Sequence, residues 1–178
     1  MKTINNRLLI SSFLILALAG CAKEDRETMI AMEIRSIDTY VESKRSTAKE
    51  VVINSGSTRL VLREGLGEPA SSGDSVFFKY AGYTFSNGPS AIFDTNLDSL
   101  SSKLGVEIRE RGFDLGHSKL GSGELIKGLE YGLTGSKVGE YSYILFPSSL
   151  GFGNSRAGTI PKMSPLIYEV WVTNIKKQ

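Results

Sequence analysis

Leu125-Ile126-Lys127-Gly128-Leu129-Glu130-Tyr131-Gly132-Leu133 is the stretch on which the architecture turns. Leu125, Ile126, Leu129 and Leu133 recur at helical spacing, interrupted by Gly128 and Gly132, so the run predicts one short helix closed near Gly135. Around it the texture is different: short runs rich in β-branched and aromatic residues, separated by glycine turns, predict strands over 51–53, 59–62, 76–80, 141–146 and 166–175. Many antiparallel strands and one helix make an α+β domain in which the sheet wraps the helix. In the last strand Leu166, Tyr168, Val170 and Val172 share one face and Ile167, Glu169, Trp171 and Thr173 the other. The first set is expected to face the core. Trp171, the one tryptophan, then stands on the outer face and asks for cover, with an N-terminal helix as the candidate.

That helix is expected over 28–43, where Ile30, Ile34, Ile37 and Val41 form a single stripe at steps of four, three and four. Packing against the following domain is the reading preferred. A homodimer seam is the alternative, but four apolar positions fall short of the three or more heptads a coiled coil wants. Residues 44–50 are polar and linker-like.

Further upstream, Lys2 and Arg7 precede an uncharged, mostly apolar run over 8–20, which is 13 residues long against the roughly 20 a spanning helix needs. It reads as an export signal. Leu18-Ala19-Gly20-Cys21 at its end resembles the lipobox of bacterial lipoproteins, in which the cysteine takes the lipid and becomes the new N-terminus. The resulting division is a signal peptide over 1–20, a lipidated tether over 21–27, a helix and linker over 28–50 and a domain over 51–178. Ala22-Lys23-Glu24-Asp25 resembles a lysine-plus-acid surface-export signal, so a lipid-anchored place in the cell envelope, on the outer membrane, is expected, with its periplasmic and surface faces both open.

Composition removes several function classes. Residues 1–20 carry two positive charges and no negative ones, so the net charge of +2 becomes 0 for the remaining 158 residues, and a nucleic-acid partner loses its electrostatic basis. Cys21 is the only cysteine, which excludes intrachain disulfides, thiolate zinc sites and a cysteine nucleophile inside the domain. His117 is the only histidine and stands in a glycine-rich connection, so neither a Ser-His-acid hydrolase nor a His-carboxylate metal centre is supported, and no metal or cofactor is expected.

The remaining motifs fall into a recognisable order. Gly65-Leu66-Gly67-Glu68-Pro69, Gly73-Asp74-Ser75-Val76 and Tyr80-Ala81-Gly82 come first, then Phe93-Asp94 and Phe113-Asp114-Leu115-Gly116. The Leu125 helix follows, then Val138-Gly139-Glu140, Phe146-Pro147, Gly151-Phe152-Gly153 and Ile160-Pro161. Over roughly 52–176 this series resembles the FKBP-type (macrolide-binding immunophilin) peptidyl-prolyl cis-trans isomerases. Each match is weak alone, and the order and spacing make them strong together.

The resemblance implies an aromatic-lined pocket between sheet and helix, built from Tyr80, Phe93, Asp94, Phe113, Leu125, Ile126, Leu129, Phe152, Ile160 and Tyr168. It further implies that the backbone N–H of Ile126 meets the substrate carbonyl, with Asp94 close by as an electrostatic group and Tyr80 as the hydrogen-bond partner of Asp94. Taken singly, each aromatic reads equally well as core packing and Asp94 as a turn residue. Two positions depart from the family: Leu129 stands where a tryptophan usually floors the pocket, and Phe152 where a tyrosine hydroxyl usually bonds ligand. The connection over 98–110 is also longer than in compact members. The implied function is isomerisation of X-Pro bonds in proline-containing client polypeptides, assisting the folding of exported or envelope proteins. The alternative is a non-catalytic client-binding or scaffold module on the same fold.

Overall fold

The computed structural model describes residues 6–97 and 116–178, with side chains from Glu24 onward. Phe113, the connection over 98–110 and the side chains of Cys21 and of the apolar run before it lie outside what is described. Along the chain come α1 (Asn6–Lys44), β1 (Glu50–Asn54), β2 (Ser57–Arg63), β3 (Ser75–Phe85), β4 (Pro89–Thr95), β5 (His117–Lys119), α2 (Lys127–Leu133), β6 (Tyr141–Phe146) and β7 (Leu166–Lys176). A single 3-10 turn, Ser148–Leu150, lies between β6 and β7. The described strands form one antiparallel sheet in the order β1-β2-β6-β7-β3-β4, with β5 paired to β3. Among the described residues no helix is long and apolar enough to cross a membrane.

β7 sits between β3 and β6 and feeds both faces of the sheet. Leu166, Tyr168, Val170 and Val172 enter the main core with Leu129 and Leu133 of α2, Phe78, Ile144 and Phe146. An isolated seven-residue helix is unstable in water, so α2 exists because this core holds it. The glycines that interrupt its periodicity make the contact: a Cβ on Gly128 would overlap the Phe146 ring, and one on Gly132 would overlap the Ile144 side chain. Absence of side chains there lets the helix lie directly on β6.

On the opposite face Ile37 and Val41 of α1 pack with Leu60, Phe85, Leu145 and Ile167, flanked by Tyr40 and Tyr83. The expected stripe thus docks through its C-terminal half only, since Ile30 is half-buried and Ile34 is 44% exposed. The helix lands on Ile167 and does not cover Trp171. Trp171 is covered by Tyr141, its cross-strand partner, with parallel rings 5.1 Å apart.

Two strands carry no signature that periodicity could catch. β4 begins at Pro89, lies at the sheet edge and pairs with β3 through two register shifts, and β5 is only His117-Ser118-Lys119. β3 also runs five residues beyond the expected end at Tyr80, through Gly82 to Phe85. The Gly73-Asp74 turn closes the domain. The Asp74 carboxylate accepts the Ser71 N–H, the Ser71 hydroxyl, the Lys177 ammonium and the Gln178 N–H, tying down the last residues of the chain. The Ser71 N–H above all, then Lys177, holds this carboxyl well below the usual range.

Candidate functional site

The site is built around Tyr168, whose phenol ring meets three others. Phe93 of β4 stands edge-on to it (centroids 5.6 Å apart, planes at 80°), Phe146 of β6 stacks nearly parallel at 5.9 Å, and Tyr80 of β3 is tilted at 5.9 Å. Room for the Phe93–Tyr168 pair comes from Gly82, where a Cβ would lie 2.9 Å from the Phe93 ring and 3.0 Å from the Tyr168 ring. That is the physical content of the Tyr-x-Gly motif.

Asp94 is placed by the residues after it. The Thr95 hydroxyl donates to the Tyr80 carbonyl at 2.7 Å, the Asn96 amide donates to the Phe78 carbonyl at 3.1 Å, and the Tyr80 N–H donates to Asn96 Oδ1 at 2.7 Å. With the irregular end of β4 so stitched to β3, the Tyr80 hydroxyl donates to Asp94 Oδ2 at 2.8 Å. Burial, then the neighbouring Asp94 charge, pushes the Tyr80 phenol well above its ordinary range, and the same two causes act on Tyr168. Both phenols stay protonated, so Tyr80 acts toward Asp94 as a donor.

Phe93, Asp94, Phe152, Ile160 and Tyr168 surround a cavity of about 490 Å³, together with Ile92 and the turn Ala157-Gly158-Thr159. Reciprocal backbone bonds between Ala157 and Ile160 (3.2 and 2.9 Å) pin that turn. Tyr80 lies behind the cavity wall, 4% exposed, and reaches it through Asp94. Leu125 and Ile126 pack on the same apolar cluster but line a neighbouring cavity of about 560 Å³ with Lys127, Glu130, Tyr131 and Leu150. Leu129 is 5% exposed and belongs to the core beneath both. At the start of α2, Ile126 has extended backbone (φ −62°, ψ 142°), and its N–H has no acceptor among the described residues. Sequence reading missed Ile92 and Ala157 to Thr159, because a short irregular edge strand and a turn of small residues carry no pattern of their own.

The family described as FKBP-type peptidyl-prolyl cis-trans isomerase matches residues 67–173 of this chain. The chain belongs to that family. FK506-binding protein 4 of Neurospora crassa is 30% identical over 159 residues, which cover 86% of this chain and 30% of that protein. Peptidyl-prolyl cis-trans isomerase FKBP15-3 of Arabidopsis thaliana is 32% identical over 110 residues, 62% of this chain and 66% of that protein. The chain thus spans less than a third of the N. crassa relative. Two bacterial structures share the fold. FkpA from Escherichia coli matches with TM-score 0.52 and 23% identity over 94% of this chain and 71% of that one. A peptidyl-prolyl cis-trans isomerase from Pseudomonas syringae matches with TM-score 0.57 and 20% identity over 85% and 96%. The FKBP-like α+β architecture, with its N-terminal helix, antiparallel sheet and one short helix against it, is therefore that of this chain.

Proposed function

We propose that this FKBP domain catalyses cis-trans isomerisation of X-Pro bonds in client polypeptides, and that Cys21 anchors it by lipid to the cell envelope. The observation that carries the first part is the aromatic cavity with one acid at its wall: Phe93, Tyr168, Phe152 and Ile160 offer a proline ring an apolar seat, and Asp94 stands beside it already holding the Tyr80 hydroxyl. Rotation about a peptide bond costs about 18–20 kcal/mol because its resonance must be broken. No covalent intermediate is needed. A site lowers that barrier by accepting the twisted amide, whose carbonyl is less conjugated, more readily than the planar amide that water solvates. About 6 kcal/mol of such preference raises the rate by about four orders of magnitude.

In this reading the Ile126 N–H, which lacks an acceptor among the described residues, meets the substrate carbonyl, and Asp94 supplies the negative charge beside the rotating bond. Phe152 contributes its ring and no hydroxyl, so ligand binding rests on apolar contact. The test is the rate of cis-to-trans exchange of a short peptide with an apolar residue before proline. Acceleration by the folded domain is expected. None would leave a module that holds proline segments without turning them over.

The anchor rests on Leu18-Ala19-Gly20-Cys21 closing an apolar run. Cys21→Ser should release the protein from washed membranes, and retention of the unacylated variant would sink that part of the proposal.

A further inference from the structure

Phe152 sits in a loop that its own sequence leaves loose, because glycine lies on either side of it, Gly151 at φ −108°, ψ −121° and Gly153 at φ +58°. Its C-terminal side is held by the Met163 N–H, which donates to the Gly153 carbonyl at 2.8 Å, and Ser148 gathers both sides of Phe152. The Ser148 carbonyl accepts the N–H of Gly151 at 2.9 Å and that of Gly153 at 2.8 Å, the two neighbours of Phe152. Ser148 is fully buried, and inside the domain its two donors make only one long contact, from the hydroxyl to Met163 Sδ at 3.9 Å. Its N–H and hydroxyl both donate to the carboxylate of Glu33 on α1, at 2.7 and 2.9 Å. A charged acceptor makes these bonds the strong kind.

Glu33 belongs to the docked face of α1. One turn on, the Ser36 hydroxyl donates to Asn87 Oδ1 at 3.0 Å in the β3–β4 turn, and Ile37, Tyr40 and Val41 pack on the sheet. Thus α1 grips the turn from which β4 runs on to Phe93 and Asp94, and the loop that carries Phe152.

We propose that Glu33 is a positioning residue for the isomerase site, acting through Ser148 to fix the loop that presents Phe152. The proposal rests on the isomerase reading above. It gives α1 a part in substrate binding in addition to covering the sheet.

The experiment is a double-mutant cycle in the full chain, with proline-peptide exchange as one readout and backbone hydrogen exchange at residues 150–153 as the other. Glu33→Ala should lower kcat/KM by about tenfold, since two bonds to a charged acceptor are lost. In a Phe152→Leu background the same change should cost less than about twofold, because residues that act as a unit are not additive. Glu33→Gln, which keeps one acceptor oxygen, should lie between wild type and Glu33→Ala. An equal loss in both backgrounds would overturn the proposal, because Glu33 would then act on stability or elsewhere in the site. Should the wild type fail to accelerate exchange, the isomerase reading falls by itself and the hydrogen-exchange arm decides. Protection at 150–153 that Glu33→Ala leaves unchanged while the rest of the domain stays folded overturns the positioning role, and loss of protection confined to that loop sustains it.

Discussion

The two ends of α2 differ in how their backbone groups are used. At the C-terminal end Arg59 of β2 reaches under the helix and donates to the carbonyls of Gly132 at 2.8 Å and Thr134 at 2.7 Å, while its Nε lies 3.2 Å from Glu140. Both side chains are about 5% exposed or less. Last-turn carbonyls have no partner within a helix, and a cation placed there also meets the negative end of the helix dipole. At the N-terminal end nothing comparable is found: Ile126 has no side-chain cap, its N–H has no acceptor among the described residues, and Leu125 and Ile126 face a cavity. A seven-residue helix cannot afford two open ends. One end is closed with buried charge, and the other is not closed by any described residue.

Breaking the closed end should give the largest effect. Arg59→Met leaves Glu140 buried without its partner and two helix carbonyls without a donor, and removing one member of a buried pair costs about 3–5 kcal/mol. Against a typical domain stability of about 5–15 kcal/mol, the midpoint of urea unfolding should fall steeply. A midpoint shifted no further than by a surface substitution would mean that the core alone holds α2. Burial pushes the Arg59 guanidinium down and the Glu140 carboxyl up from their usual ranges, each opposed by the other's charge, so the pair is maintained against its desolvation.

The aromatic cavity, away from that buried pair, predicts the reverse pattern, activity lost with stability kept. Asp94→Asn is nearly isosteric and still accepts the Tyr80 hydroxyl, so it removes only charge. If Asp94 assists electrostatically, kcat/KM should fall by about ten- to a hundredfold, the equivalent of about 1.5–3 kcal/mol, while the urea midpoint hardly moves. Tyr168→Leu, by contrast, should lower both, because that ring belongs to the core and the cavity at once. Unchanged turnover in Asp94→Asn would discard the role of the acid and keep the apolar seat.

Between the two ends lies Gly128, where sequence and structure part company in an instructive way. Periodicity located the helix, runs of β-branched and aromatic residues between glycine turns located β1, β2, β3, β6 and β7, and alternation told which face of β7 meets the core. Glycine inside the helix read as an interruption. Only the packing reveals it as the contact with Phe146. Likewise nothing in the sequence around Arg59 or Glu140 tells a buried ion pair from a solvated one, and Glu33 and Ser148 are 115 positions apart. Of the site, the residues that occur in ordered motifs (Tyr80, Phe93, Asp94, Phe152, Ile160 and Tyr168) were legible, and those contributed by the β4 edge and the Ala157 turn were not. Gly128→Ala tests the point directly. Overpacking of this kind costs about 1–3 kcal/mol, and because Phe146 stacks on Tyr168 the displaced ring should lower kcat/KM as well. A stable, fully active Gly128→Ala would mean that α2 can ride away from β6 at no expense to the site.

The smallest effect concerns the hydrogen bond from Tyr80 to Asp94, and pH makes it separable. Tyr80→Phe removes one donor from a half-exposed carboxylate that water can still reach, so about 1 kcal/mol of stability near neutrality is expected to go. The Tyr80 phenol titrates well above its ordinary value of 10.0 in the folded protein, chiefly through burial and then through the Asp94 charge. A group whose folded value is raised contributes stability that is complete below the unfolded value and declines as pH rises toward the folded one. The wild-type protein should therefore exceed Tyr80→Phe in stability by a constant amount up to about pH 10 and lose that margin above it, because only the wild type has an unfolded state relieved by giving up the Tyr80 proton. Paired urea titrations at neutral and alkaline pH measure the margin, and taking the difference cancels the titration of every group the two proteins share. A margin that stays constant well above pH 10 would mean that Tyr80 ionises in the folded protein as readily as in the unfolded chain. Neither burial nor Asp94 would then be restraining it.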